Sequence, residues 1–292
     1  MTCESSTSVL QRAARICQLV ALAAGLYAAP AGAQVRIDGG NAPESVGAPS
    51  EGPSEGWSYS LGLGAVAVPD YEGSENYEAA PMPVARVQKG YQYGQLFGLK
   101  LTSNLLSHPN FRAGLVADFL PERDDVENNQ VDRLRTIDAA LMLGGLVGYD
   151  LELQNGGLSF EVEWVHDVID GNDGWLLTPE ISYRSELSET WNLNLATSLT
   201  YASGDYMETY FSISSADSTR SGLSTFNASG GIKDVGVNLA VTYSFTENWT
   251  AGGLAGWKRL MNDAEDSPVT KVGNENQYIA GLFVTYSWQG GE

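Results

Sequence analysis

The chain is 292 residues long and sets 16 Lys and Arg against 36 Asp and Glu, a formal net charge of −20. So acidic a chain offers no basic surface for phosphates, which excludes a nucleic-acid partner. Its two cysteines, Cys3 and Cys17, both fall near the N-terminus, so the rest of the chain holds neither a disulfide framework nor thiol chemistry.

The first element is a leader. In "MTCESSTSVLQRAARICQLVALAAGLYAAPAGAQ", Arg12 and Arg15 precede an apolar run from Ile16 to Ala29, and Ala31-Gly32-Ala33 supplies a small-residue cleavage site. The pattern predicts a secretory signal peptide over residues 1–33; the run is too short for a bilayer, which needs about 20 residues of helix. Its removal takes away Arg12, Arg15 and Glu4 and leaves the mature chain one unit more negative. Residues 34–56, "QVRIDGGNAPESVGAPSEGPSEG", are rich in Gly, Pro, Ser and Glu without hydrophobic period, and are expected to form a flexible periplasmic tail.

From Trp57 onward the period is two. "WSYSLGLGA" sets Trp57, Tyr59, Leu61 and Leu63 against Ser58, Ser60, Gly62 and Gly64. "WNLNLATSLTY" sets Trp191, Leu193, Leu195, Leu199 and Tyr201 against Asn192, Asn194, Ser198 and Thr200, and "VNLAVTYSF" repeats the pattern. Each reads as a strand with one apolar and one polar face, and helical periodicity is nearly absent. Short turns at residues 154–157, 188–190 and 246–248 alternate with long polar connections beginning at residues 121 and 261 and covering residues 204–223. Short turns at one end and long loops at the other predict an all-β, transmembrane, antiparallel up-and-down barrel over residues 57–288, with 289–292 as a short C-terminal extension. About eleven runs are clear, and "YQYGQLFGLKLTSNLLSHPNF" holds one strand or two; the even-number rule leads to twelve, with ten as the alternative.

A soluble β-sandwich also alternates. Two features favour the barrel over it. Trp57, Trp175, Trp191, Trp249 and Trp288 stand at strand ends, where membrane-interface aromatics gather. Opposite the apolar parity, "LSFEVEW" carries Glu161 and Glu163 and "LLTPEISYR" carries Glu180 and Arg184 at mid-strand depth, charges that suit a lumen. These four are the lumen-facing candidates; they either line a cation-preferring path or pair and close it.

Catalysis finds little support. A hydrolase needs a nucleophile, a base and an orienting group, and the only histidines are His108, in a turn, and His166, whose neighbour Asp167 points to the other strand face. No G-x-S-x-G motif occurs. The acidic runs Asp124, Asp125, Glu127 and Asp263, Glu265, Asp266 match no EF-hand spacing and read as solvated loops. No catalytic, cofactor or metal residue is assigned, and no cofactor is expected.

Several motifs in order carry a resemblance: "DYEGSENY", "GDYMETYFSISSADSTRSGL", "GIKDVGVNLAVTYSFTENW", "AEDSPV" and "NENQYIAGLFVTYSW". From Trp57 to Trp288 the chain resembles the MipA/OmpV family, MltA-interacting scaffolding proteins of Gram-negative outer membranes. The closing run "GLFVTYSW" is similar to a terminal barrel-insertion signal, except that four residues follow its aromatic. The resemblance implies residence in the cell outer membrane among its lipids, and a scaffold bridging a periplasmic lytic transglycosylase and a peptidoglycan synthase. A small channel is the alternative; an adhesin or an outer-membrane hydrolase is more distant.

Overall fold

The computed structural model describes residues 56–290. The leader, nearly all of the expected tail and the last two residues lie outside the described residues. Twelve strands close into one antiparallel barrel: β1 (Trp57–Pro69), β2 (Tyr77–Lys89), β3 (Gln92–Phe97), β4 (Lys100–Asn104), β5 (Phe111–Leu120), β6 (Ala140–Leu153), β7 (Gly156–Asp167), β8 (Trp175–Glu186), β9 (Trp191–Ala202), β10 (Gly231–Ser244), β11 (Trp249–Leu260) and β12 (Asn276–Gln289). Neighbours in sequence are neighbours in the sheet, and β12 returns to β1 with Tyr59 opposite Trp288 and Ala67 opposite Ala280. Closure removes the free edges of an open sheet and pairs the strand backbone except beside β2 above the short β3 and β4, which meets the condition for crossing a bilayer with strands. Gln289 continues β12, and the Gly290 N–H donates to Trp57 O at 2.7 Å.

The uncertain segment holds two strands, β3 and β4, joined at Gly98 and Leu99; this makes the count even. They have six and five residues, against ten to fourteen in the others, so this hairpin climbs only part of the wall.

Side-chain exposure follows the period of two. Outward positions such as Leu63, Leu115, Leu195 and Leu282 are exposed, while inward positions such as Met82, Met142, Leu176 and Thr285 are at most 1% exposed. Twelve strands enclose too much space to be filled by inward side chains of ordinary size alone. The remainder comes from the long connections. The 203–230 loop carries two helices, α1 (Gly204–Phe211) and α2 (Ser215–Ser221); the 261–275 loop carries α3 (Asn262–Asp266) and α4 (Pro268–Lys271). The long polar connection expected over residues 204–223 is thus largely helical. Tyr206, Met207, Tyr210 and Phe211 recur at helical spacing and are all buried, and Ser203 caps the helix by accepting from Tyr206 N–H. Ser214 caps α2, which stops at Gly222 in the left-handed region at φ 78°.

Candidate functional site: the filled interior

Inside the loop-side half, α1 seats its apolar face on inward residues of the wall. Tyr206, Met207, Tyr210 and Phe211 join one buried cluster with Val116 and Leu120 of β5, Met142 and Leu146 of β6, Val165 of β7, Leu176 of β8 and Leu260 of β11. A second cluster is built wholly from connections: Tyr71, Val126, Val131, Leu134, Ile213, Leu223 and Val269. Together they roof the barrel.

Polar contacts lock α1 in its seat. The carbonyls at its C-terminal end, which lack helical donors, are met from two other loops. Arg135 Nη2 donates to Glu208 O at 2.9 Å and Thr209 O at 3.3 Å, Arg123 Nη1 to Tyr210 O at 3.3 Å, and Ser267 Oγ to Phe211 O at 2.6 Å. Two of these donors are cations at the negative end of a helix, where they are favoured. Burial pulls the Arg123 guanidinium down to about 10. Asn172 donates to Tyr210 Oη at 3.3 Å, bringing in a fourth loop.

Beneath the N-terminal turn lies a buried charged centre. A β-bulge in β10, between Ile232 and Asp234, inserts Lys233 opposite β9. The extra residue turns both Lys233 and Asp234 inward, each 0% exposed, which regular alternation forbids. Lys233 pairs with Glu72, and with Asp234 Oδ2 at 2.8 Å. Glu72 also accepts from Lys258 Nζ at 3.0 Å and from Tyr206 Oη at 3.2 Å. One carboxylate thus ties the first loop, two strands and the plug helix together.

The turn-side half is filled differently. Arg112 of β5 donates to Asp150 Oδ2 at 2.8 Å and to Glu161 Oε2 at 2.9 Å, touches Tyr93 Oη at 3.3 Å and bonds Ser159. Lys100 of β4 pairs with Glu163 Oε2 at 2.7 Å. Arg86 reaches Gln88 at 3.0 Å and Gln95, and lies 4.4 Å over the Tyr93 ring. Of the four charged residues singled out by sequence, Glu161 and Glu163 are buried and paired with Arg112 and Lys100, two cations the strand pattern did not flag. Glu180 stands directly opposite Glu161 in the β7–β8 register; Arg184 lies 3.6 Å from Glu152 at the exposed rim. Phe283 extends between the halves. It meets Phe97 edge-on at 5.8 Å, over Gly252, where a Cβ would come within 2.2 Å of the ring.

The five tryptophans divide between the two rims. Trp57, Trp191, Trp249 and Trp288 stand on the short-turn rim, where Trp57, Tyr59, Trp288, Tyr286 and Trp249 form a continuous run of ring contacts. Trp175, stacked on Tyr201, stands on the loop rim. Both histidines serve turns: His108 Nδ1 accepts from the Asn110 and Phe111 amides at 3.1 Å, and His166 bonds the Asp167 carbonyl. The loop acids are engaged locally, with Asp263 accepting from the Ser229 amide, Glu265 paired with Arg259 and Asp266 with Lys271.

Against known proteins, the family described as MltA-interacting protein MipA matches residues 61–288. The putative outer membrane protein YiaT of Escherichia coli K12 is 23% identical over 177 residues, covering 60% of this chain and 68% of that protein. Similar solved structures include the COG4313 outer membrane channel from Pseudomonas putida F1, at 10% identity and a TM-score of 0.45 over 85% of this chain and 100% of that one. The outer membrane channel DcaP of Acinetobacter baumannii is 10% identical with a TM-score of 0.37, over 83% and 100%.

Proposed function

The chain belongs to the MipA family of outer-membrane barrels, and from that premise we propose that it is a closed, structural barrel whose short-turn face holds murein-remodelling enzymes at the membrane. The observation that carries this reading is the filled interior: α1, the Glu72 centre and the Arg112 and Lys100 pairs occupy the space a solute would need. With the interior occupied, the rims are the surfaces left for function. Outer-membrane barrels turn their short connections to the periplasm, so Asn155, Glu189 and Glu247 face the murein, and the aromatic rims lie at the two bilayer interfaces among outer-membrane lipids. The partners are a periplasmic lytic transglycosylase and a peptidoglycan synthase, a reading that the MltA-interacting description of the family supports. No catalytic role is assigned to the barrel.

The test is capture from crosslinked envelopes. A lytic transglycosylase is expected with the wild-type protein, and substitutions at Asn155, Glu189 and Glu247 should weaken capture more than substitutions across residues 214–221. Capture that is indifferent to the turns removes the scaffold reading. One observation favours a second reading: in the turn-side half, Asn192, Asn194 and Ser182 are only partly buried, as they are in a narrow, water-bearing passage. A small channel predicts stable conductance in a planar bilayer that responds to Glu161→Gln or Glu180→Gln.

A further inference from the structure

The wall of the barrel is not of uniform height. The β3–β4 hairpin turns at Gly98 and Leu99, level with Pro83 on one side and Asp118 on the other, so β2 loses its neighbour above that point. Gly98 N–H donates to Pro83 O at 2.9 Å. In an antiparallel ladder a residue's N–H and C=O point to the same side, so odd-numbered residues of β2 aim their backbone groups toward this hairpin. The next odd residues up, Pro81 and Ala79, are exposed, and among the described residues no backbone partner meets them on that side. Pro81 stands where an N–H would face the missing strand and Pro83 where it would face the hairpin's turn, as proline does at sheet edges. The groups left over are the carbonyls of Ala79 and Pro81 and the Ala79 amide.

Ala80, Met82 and Val84 of β2 and Val116 and Leu120 of β5, all at most 4% exposed, seal the recess from the lumen, and its reachable lining is Ala79 and Pro81 on one side and Leu99 and Phe119 on the other. Leu99, whose carbonyl accepts from Phe119 N–H at 3.3 Å, closes its lower lip, and the 121–139 loop, tied by the Glu127 amide to Asp70 at 2.9 Å, closes its top. Tyr77, on the loop rim, lies immediately above Ala79. Three strand spacings, about 14 Å in all, separate β2 from β5 here if the usual spacing is kept, which leaves room for a hydrocarbon chain between the flanking side chains. Backbone carbonyls bare to hydrocarbon are costly, and in a membrane only a donor arriving with the lipid relieves them.

We propose that this recess is a binding site for one outer-leaflet lipid, an acyl chain bearing a hydroxyl or amide donor near its head: the chain lies between Ala79 and Pro81 of β2 and Phe119 of β5, above Leu99, and the donor meets the Ala79 and Pro81 carbonyls. The probes are two brominated fatty acids, one with a 3-hydroxyl and one without. They are titrated in detergent against the full chain carrying Cys3→Ser and Cys17→Ser and a fluorophore at Phe119→Cys. Saturable quenching at Phe119→Cys, several-fold tighter for the hydroxy acid and absent from a fluorophore at Leu239→Cys on β10, in the opposite sector and paired on both sides, is the expected result. Ala79→Trp, which fills the recess from outside, should abolish it. Quenching that does not saturate, that matches Leu239→Cys or that ignores the hydroxyl overturns the proposal. So does a disulfide-linked dimer through Ala79→Cys, which would make a second copy the occupant.

Discussion

The two halves of this interior are lined by the same strands yet are filled by opposite means. On the loop side the inward apolar residues of β5 to β8 include Val116, Leu120, Met142, Val165 and Leu176, and an aromatic helix face completes them. On the turn side the same strands offer Arg112, Asp150, Glu161 and Arg184 inward, and ion pairs complete them. An apolar filling tolerates imprecision in direction but demands volume. A charged filling demands a partner for each group and leaves water at its margin. The plug is therefore held where dry packing is available, and the residual polarity is set on the side facing the short turns.

The contrast breaks most sharply on β9. Ala202 lies under α1 at 0% exposure, whereas Asn194 lies in the polar half and is partly exposed. Ala202→Arg should cost several kcal/mol, because an unpaired guanidinium replaces dry contacts, while Asn194→Arg should fold nearly as wild type. Folding yield into lipid vesicles and heat-modifiable gel mobility measure both. Equal yields would dissolve the distinction between the halves.

A second break concerns the charged centre inside the dry half. Glu72→Ala leaves Lys233 and Lys258 without their shared carboxylate, and loss of one partner of a buried ion pair costs roughly 3–5 kcal/mol. Urea unfolding should record it, with the pair between Asp234 and Lys233 still in place. At the roof, Arg135→Ala removes donors to Glu208 O and Thr209 O but leaves those from Arg123 and Ser267. About 0.5–1.5 kcal/mol is expected, seen as faster amide exchange in residues 204–211 without change in the strands.

The smallest effect belongs to the first and third loops. Burial lifts the Asp70 carboxyl above its usual range, partly offset by the Glu127 amide, with Glu127, Asp125 and Asp132 adding to the rise. A carboxyl whose folded value is raised contributes stability that is complete below its unfolded value and is lost as pH rises through the folded one. Contact between residues 70–76 and 121–139 should therefore be firmest in mild acid and loosen toward neutrality. Asp70→Asn keeps an acceptor for Glu127 and should flatten that dependence, as read from exchange of the Glu127 amide against pH.

How far the sequence carries depends on what holds each element. β9 and β10 were legible because their alternation is the cause of their placement: one parity meets lipid, the other does not. β3 and β4 were ambiguous because strands of five and six residues hold too few alternations to distinguish two strands from one. Helix α1 escaped for another reason. Its eight residues are too few to be helical alone, and the carbonyl donors that stabilise it come from residues 123, 135 and 267. The spacing of Tyr206, Met207, Tyr210 and Phe211 was the available signal. Among the charged candidates, Glu161 and Glu163 stood out by parity, but their partners Arg112 and Lys100 sit on the poorly patterned strands. Lys233 and Asp234 were hidden, since a bulge is invisible to any reading that assumes an unbroken period.

The ring closes through its most distant strands: the hydroxyls of Ser60 and Ser287 lie 2.9 Å apart across 227 positions of sequence. Contacts of that span form late, because chain-closure entropy must be overcome before they give any return. Helix α1 needs Glu72 from the beginning of the barrel, Arg123 and Arg135 from its middle and Ser267 from near its end, so its seat does not exist until the ring is complete. During biogenesis the 203–230 segment must then stay open to proteases until the last strand pairs with the first. Its disappearance from a time-resolved digest would mark the moment of closure.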